Sequence, residues 1–417
     1  MARRERSRRL LLKIAACSIA IVAAIATSAG PAAADTSPYL NRLTPSLHMQ
    51  EFNAFPWQIE GVSTGTGVFL GEAQLINAPT PPPLMSFGDF EYYYSAPSAE
   101  LFAAVEEFFY VGGSSLVVVP TAGSTAANLL TALSATAPDA GAASLLVAPA
   151  IPALPSEEYL QVAQAMNQWA FDTNGIAVMQ LPDEVMPALQ AGQLEPALSI
   201  AQRLSTSLRA PQNSVLFSTG LHNGQQEAVS TAAVMAGMIA ANDTKNGVWT
   251  PTAGMGALLY ELSPDFVATD TQLMLMSDAR INGFLTPPAS TNSYVWGALT
   301  LSQSMAPEQR YISCVRELQY IYASVSQGLR PFIFQPNYGP TWTEVNTVFS
   351  PFLTKLWQAG GLVGEGPDAA FTVRCGVPAT MTATDVQNGK MIVQVQVALA
   401  RPYEFVTLSF TQPVQRS

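Results

Sequence analysis

The chain of 417 residues is 48% hydrophobic and only 12% charged, about half the ~25% charged share usual for a soluble globular protein. That length allows one large core or two to three domains, and so few charges point to broad surfaces that face other protein rather than water, hence a multimer. The net charge is −11, and the first 34 residues hold six of the 19 basic residues. What remains is strongly acidic, which argues against a face that grips nucleic-acid phosphates. Three cysteines (Cys17, Cys314 and Cys375) are too few for a disulfide scaffold, and two buried thiols are the expectation for the later pair.

Residues 1–34 read as a signal-like leader. Arg3, Arg4, Arg6, Arg8, Arg9 and Lys13 precede an apolar run from Ile14 to about Ala26, and Ala32-Ala33-Ala34 offers small residues before Asp35. The stretch Ser7-Arg8-Arg9-Leu10-Leu11-Leu12-Lys13 is similar to a twin-arginine export signal, and an uncleaved membrane anchor is the rival reading. Residues 35–60 read as an extended arm containing His48.

From there a helix–strand step recurs. TGVFLGE (66–72) predicts a short strand, and NAPTPPPL (77–84) is excluded from helix or sheet interior by its prolines. Ser98 fits the N-cap of a helix over 98–110 that Gly112-Gly113 stop. Strands are expected at 114–120, 143–149, 175–182 and 214–220, separated by helices over 124–137, 156–173 and 183–209. These strands are continuous apolar runs, as a parallel sheet covered on both faces requires. A helix over 230–241 carries small residues suited to close packing. A turn segment follows at 242–254, and Asn282-Gly283 reads as another turn. The last third adds an α+β unit closing on two alternating strands, MIVQVQVALA and YEFVTLSF.

Chemistry is scarce. His222 is the one histidine of the α/β block. A hydrolase would have to use it with Ser218, Ser124 or Ser230 as nucleophile and Asp183 or Asp172 as the orienting acid, all at or near strand ends. No nucleophile elbow, metal-ligand spacing or phosphate loop accompanies it. A loop histidine is the plainer reading. Arg316, Arg330, Arg374 and Arg401 are rare charges in apolar surroundings, each a candidate for an ion pair between subunits.

Several phrases in matching order resemble the contractile tail sheath proteins of bacteriophages and related injection systems. They are IEGVSTGTGVFLGEA (59–73), the helix into VGGSSLVVVP (111–120), VMAGMIAANDTKNGVWTPTAG (234–254), INGFLTPP (281–288), VWGALTLS (295–302), and the run from VRELQYIYASVSQGLRPFIFQPN through TW, FLTKLWQAGGLVG and AFTVRCG to RPYEFVTLSF. The resemblance implies a largely parallel, subtilisin-like α/β sheath domain over 61–290 used structurally and without protease machinery. It further implies a C-terminal sheath domain over 291–389 and C-terminal strands over 390–417. No enzyme activity, cofactor, metal or small-molecule substrate is implied. The implied partners are further copies of the chain in a helical tube, a tail tube protein, and baseplate and terminator proteins. Strand exchange would run through about 36–58 and 390–412, with Val393, Val395, Val397, Phe405, Leu408 and Phe410 among the assembly residues. Leu299 stands where the family often has Arg, and the leader sits awkwardly with a cytoplasmically assembled virion tail or injection device. Two other readings therefore remain: an exported hydrolase, and an exported, self-associating, non-contractile relative.

Overall fold

The computed structural model describes residues 18–24, 58–77, 81–135, 144–218, 220–287, 290 and 292–401. They divide into two compact units. One, the α/β unit, holds 61–323, 358–363 and the described residues from 399 on. The other, the C-terminal unit, holds the described residues up to 60 together with 324–357 and 364–398.

The strands are β1 (Ser18–Ala24), β2 (Gly67–Glu72), β3 (Leu116–Thr121), β4 (Leu145–Val147), β5 (Ile176–Gln180), β6 (Ser214–Phe217), β7 (Leu258–Leu259), β8 (Ile281–Leu285), β9 (Ser293–Trp296), β10 (Phe371–Cys375) and β11 (Lys390–Val397). The principal helices are α1 (Phe87–Tyr93), α2 (Ala99–Tyr110), α3 (Ala126–Ala135), α4 (Ser156–Asp172), α5 (Glu195–Ser207), α6 (Thr231–Asn246), α7 (Asp270–Asp278), α8 (Ile312–Leu329) and α9 (Gly339–Gln358).

The α/β unit is organised by an eight-stranded sheet in the order β7-β9-β8-β6-β5-β4-β2-β3. From β8 to β3 neighbouring strands are parallel, while β9 and β7 add antiparallel at one edge. Alternate residues of one strand enter opposite cores. Ala177 and Met179 of β5 join α3, α4 and α5 on one face, and Ile176 and Val178 join α2 and α6 on the other. With both faces covered, every side chain of β5 is buried, which is why these strands read as unbroken apolar runs.

The expected helix starts are met at Ser98, whose hydroxyl accepts from the Leu101 amide at 3.2 Å, and at Ser230, which caps α6. Three local expectations need correction. The helix expected over 183–209 is interrupted, because Gly192 adopts φ +76° and Pro196 opens a new helix after it. The helix expected to stop at Ala241 runs on to Asn246, where Gly247 at φ +89° ends it. Asn282-Gly283 is the middle of β8 and not a turn, since burial of the Asn282 side chain overrides the local turn preference.

In the C-terminal unit β11 is the central strand of a three-stranded sheet, antiparallel to β10 on one side and to β1 on the other. Its side chains alternate as the sequence suggests: Met391, Val393, Val395 and Val397 are buried, and those between are partly exposed. Buried residues of α9 (Val345, Phe349, Leu353 and Leu356) contribute to this unit's interior. The expected closing strand YEFVTLSF lies outside the described residues, and both edges of β11 are taken by β10 and β1. The domain boundary expected near 290 falls inside the α/β unit, because β9 completes the sheet there by pairing with β8. Among the described residues no helix is long and apolar enough to cross a membrane.

Candidate assembly surfaces

The four arginines have different surroundings. Arg316 is 2% exposed and meets Asp243 through two bonds, Nη1 to Oδ1 and Nη2 to Oδ2, both 2.6 Å. Such parallel, charge-assisted bonds are the strong form of this contact. Arg316 is therefore committed within its own chain, and an inter-subunit pairing through it does not hold. Asp243 closes the phrase VMAGMIAAND and Arg316 opens VRELQYIY, so two stretches singled out separately meet in space. Arg330, Arg374 and Arg401 are exposed. Each is available to an outside partner.

The valines also divide from the role expected of them. Val393, Val395 and Val397 are 1%, 1% and 7% exposed and form the inner face of the C-terminal sheet. Their side chains serve the interior of this unit. Phe405, Leu408 and Phe410 lie outside the described residues, as does nearly all of the arm over 36–58.

A second buried polar junction was not anticipated. Asn282 is fully buried. Its Nδ2 donates to the carbonyls of Leu216 (3.1 Å) and Leu299 (2.8 Å), and its Oδ1 accepts from the Leu299 amide at 2.8 Å. This one amide ties β6, β8 and the loop after β9. Gly297 is required beside it: the backbone has φ +129°, and a Cβ there would fall 2.6 Å from Asn282 Oδ1. The phrases INGFL and VWGAL thus form one hydrogen-bonded corner. The only sequence sign was an Asn-Gly pair within an apolar run.

Close helix packing accounts for a third phrase. At Gly237 of α6 an added Cβ would lie 2.6 Å from the carbonyl oxygen of Phe108 and would also strike Val111. The small-residue stripe lets α6 approach α2 backbone to backbone. Beside this helix lies a cleft of about 640 Å³, lined by Thr66, Ser115, Asp243, Trp249 and Tyr320 among others. Thr66 and Ser115 immediately precede β2 and β3, so the cleft opens at the N-terminal ends of parallel strands, away from the carboxyl ends where such sheets usually bind ligands.

At those carboxyl ends His222 pairs through Nδ1 with Asp265, an acid the sequence reading did not select. Asp265 also helps to hold the Asp183 carboxyl above its usual range, with burial the larger cause. The Ser230 hydroxyl caps α6, and Asp172 accepts from Gln168. Ser218 is 2% exposed. Among the described residues none of Ser124, Ser218 or Ser230 shares a hydrogen bond with His222.

Exposed apolar residues occur on both units. Met255, Tyr260 and Met274 of the α/β unit are 87%, 68% and 70% exposed, and Phe334 of the C-terminal unit is 94% exposed. Side chains of this size left in water are the ones that gain most when a partner covers them.

No family model matches the sequence, and no curated protein does. Solved structures do. The sheath complex of an extracellular contractile injection system, PVC, in its contracted state superposes with a TM-score of 0.70 at 25% identity, over 89% of this chain and 98% of that one. The contracted helical sheath of the anti-feeding prophage superposes with 0.68 at 22% identity, over 88% and 99%. A chain of the anti-feeding prophage baseplate gives 0.67 at 21%, over 89% and 99%. The resemblance to contractile sheath proteins read from the sequence is borne out by these structures, and the fold is mixed α/β with a large, mostly parallel sheet and C-terminal antiparallel strands.

Proposed function

We propose that this chain is a structural subunit of a helical contractile sheath. The observation that carries the reading is the likeness to the contracted PVC sheath over nearly the full length of both chains, at TM-score 0.70. The low charge content and the exposed apolar side chains of both units support it, since both suit a protein whose surfaces meet copies of itself. In this reading the sheath surrounds a tail tube, is bounded by baseplate and terminator proteins, and belongs to a phage-like tail or injection device. The parallel sheet is a subtilisin-like frame used for support. His222, paired to Asp265 without a serine, serves the local structure.

Contraction in this reading is a change between two packings of rigid bodies and not a chemical reaction. Linkage between subunits by added strands suits that motion. Main-chain hydrogen bonds at a sheet edge hold neighbours together while the globular bodies move against one another. The segments that do so are the arm at 36–58 and the chain about 390–412. Because Met391, Val393, Val395 and Val397 are buried within the C-terminal unit, removal of residues beyond Arg401 tests the linkage more cleanly than removal from Lys390.

Negative-stain electron microscopy of the full chain, alone and with the tube protein expressed beside it, tests the reading. Striated tubes are expected. Their absence in both preparations overturns it. The chain ending at Arg401 is expected to stay folded and to remain unassembled.

A further inference from the structure

The α/β unit is lopsided in charge. Between Gly61 and Gln202 the sequence has thirteen acidic residues and no Lys, Arg or His. Two of these acids, Glu106 and Glu107 near the end of α2, gather with Glu227 of the loop 223–227 and with Glu261, which follows β7. The Tyr110 hydroxyl of α2 donates to Glu261 Oε2 at 2.8 Å. The loop 223–227 runs beside Glu261, since a Cβ added at Gly224 would sit 4.0 Å from the Glu261 carbonyl oxygen. Glu107 is 8% exposed, and its Oε2 has no hydrogen-bond partner among the described residues. Burial raises its pKa, and the carboxylates of Glu106 and Glu227 raise it further. Glu227 and Glu261 are exposed and accept from neutral donors, Asn223 at 3.1 Å and Tyr110. Beside these acids the rings of Tyr110 and Tyr260 are 57% and 68% exposed.

The C-terminal unit carries the chemical complement. Arg330 is exposed and is the sole charged residue between Glu317 and Glu344. It opens the short helical turn Arg330–Phe332, and Phe334 stands just beyond it, 94% exposed. We propose that Arg330 and Phe334 of one copy dock on the patch formed by Glu227, Glu261, Tyr110 and Tyr260 of a second copy, the guanidinium meeting the carboxylates and the phenyl ring meeting the tyrosines. The proposal rests on the sheath reading in one respect, that the partner is another copy of this chain.

The two surfaces match in charge and in kind. Carboxylates held together around a buried one repel each other, and an arriving cation relieves that repulsion while acids of a wrong partner increase it. Arginine suits the place because its planar, weakly hydrated guanidinium bonds carboxylates and lies on aromatic rings at once. Phe334 gains from cover more than any polar residue would, and aromatic rings pack well against one another. Tyr, Phe and Arg are also the residues that interface centres collect. Glu261 holds its place at φ +56°, a region that favours glycine, so its carboxylate is kept there against a local backbone cost.

Carbodiimide coupling, which joins an amine to a touching carboxylate without a spacer, tests this on the full chain carrying Arg330→Lys. Equal amounts of isotopically heavy and light protein are mixed before coupling, and the joined peptides are read by mass spectrometry. The side chain at position 330 is expected to be joined to Glu227 or Glu261 in peptides that pair heavy with light. Coupling to these acids only within one copy overturns the proposal, and so does no coupling to them at the highest concentration reached. In sedimentation, Arg330→Glu should weaken self-association about tenfold or more, and adding Glu227→Arg/Glu261→Arg to that variant should recover it. Self-association unchanged in Arg330→Glu overturns the contact. All three positions are exposed, so circular dichroism should show the fold intact in every variant. The two readings fail separately: tubes without the coupling overturn the contact alone, and coupling between copies without tubes leaves the contact standing and overturns the sheath.

Discussion

Removing the Arg316 guanidinium while leaving Asp243 in place tests how the α/β unit is held together. The side chains of the pair are 2% and 3% exposed, with both bonds at 2.6 Å. Arg316→Met keeps most of the aliphatic stem and strands a carboxylate away from water. The loss of one member of such a pair costs roughly 3–5 kcal/mol, against a total stability of order 5–15 kcal/mol for a typical domain. With a urea dependence of about 2–3 kcal/mol per molar, the denaturation midpoint should fall by about 1–2.5 M. Circular dichroism and tryptophan fluorescence, followed together across a urea series, read this shift. The double variant Arg316→Met/Asp243→Leu removes both charges and fills the space with apolar groups, so most of the loss should return, because much of the single-variant cost is the orphaned charge. Two results would refute the reasoning: a single variant with its midpoint within about 0.3 M of the parent, or a double variant no more stable than the single.

Glu317, beside Arg316 in sequence, is fully buried, and neither carboxyl oxygen has a hydrogen-bond partner among the described residues. Burial pushes its pKa well up. The folded state therefore keeps a proton that the unfolded chain releases near its ordinary pKa of ~4.3, and stability falls as pH rises from there toward the folded value, by up to about 1.4 kcal/mol per pH unit. Glu317→Gln should flatten that slope; equal slopes measured by urea denaturation from pH 5 to 8 would count against it. Gly237→Ala should destabilise by about 1–3 kcal/mol through overpacking against Phe108 and Val111, although the same change in an exposed helix stabilises by ~0.5–1 kcal/mol; thermal denaturation gives the sign. Asn282→Ala leaves the Leu299 carbonyl and amide without their partner and should cost about 2 kcal/mol or more, read by the same scan. A fluorophosphonate probe should leave the chain unlabelled, and labelling that disappears in His222→Ala would revive the hydrolase.

The parallel sheet was legible because a strand buried on both faces must be apolar at every position, as β5 and β6 are. Likewise Ser98 and Ser230 stand where an orphaned helix amide needs an acceptor. These are local requirements, and local sequence states them. The alternation of β11 also predicted its burial pattern, but not which strands would flank it. What only the tertiary structure decided is which distant groups meet. Asp243 and Arg316 are 73 residues apart, and nothing near either residue specifies the other. An arginine in a largely apolar helix reads the same whether its acid lies in this chain or the next. Asn282-Gly283 carries the local signal of a turn, and only the neighbouring backbones of β6 and the loop after β9 make it a strand. Residues 18–24 are apolar enough for a leader or a strand, and their pairing with β11 is visible only in the fold, because registers are set between segments and not within them.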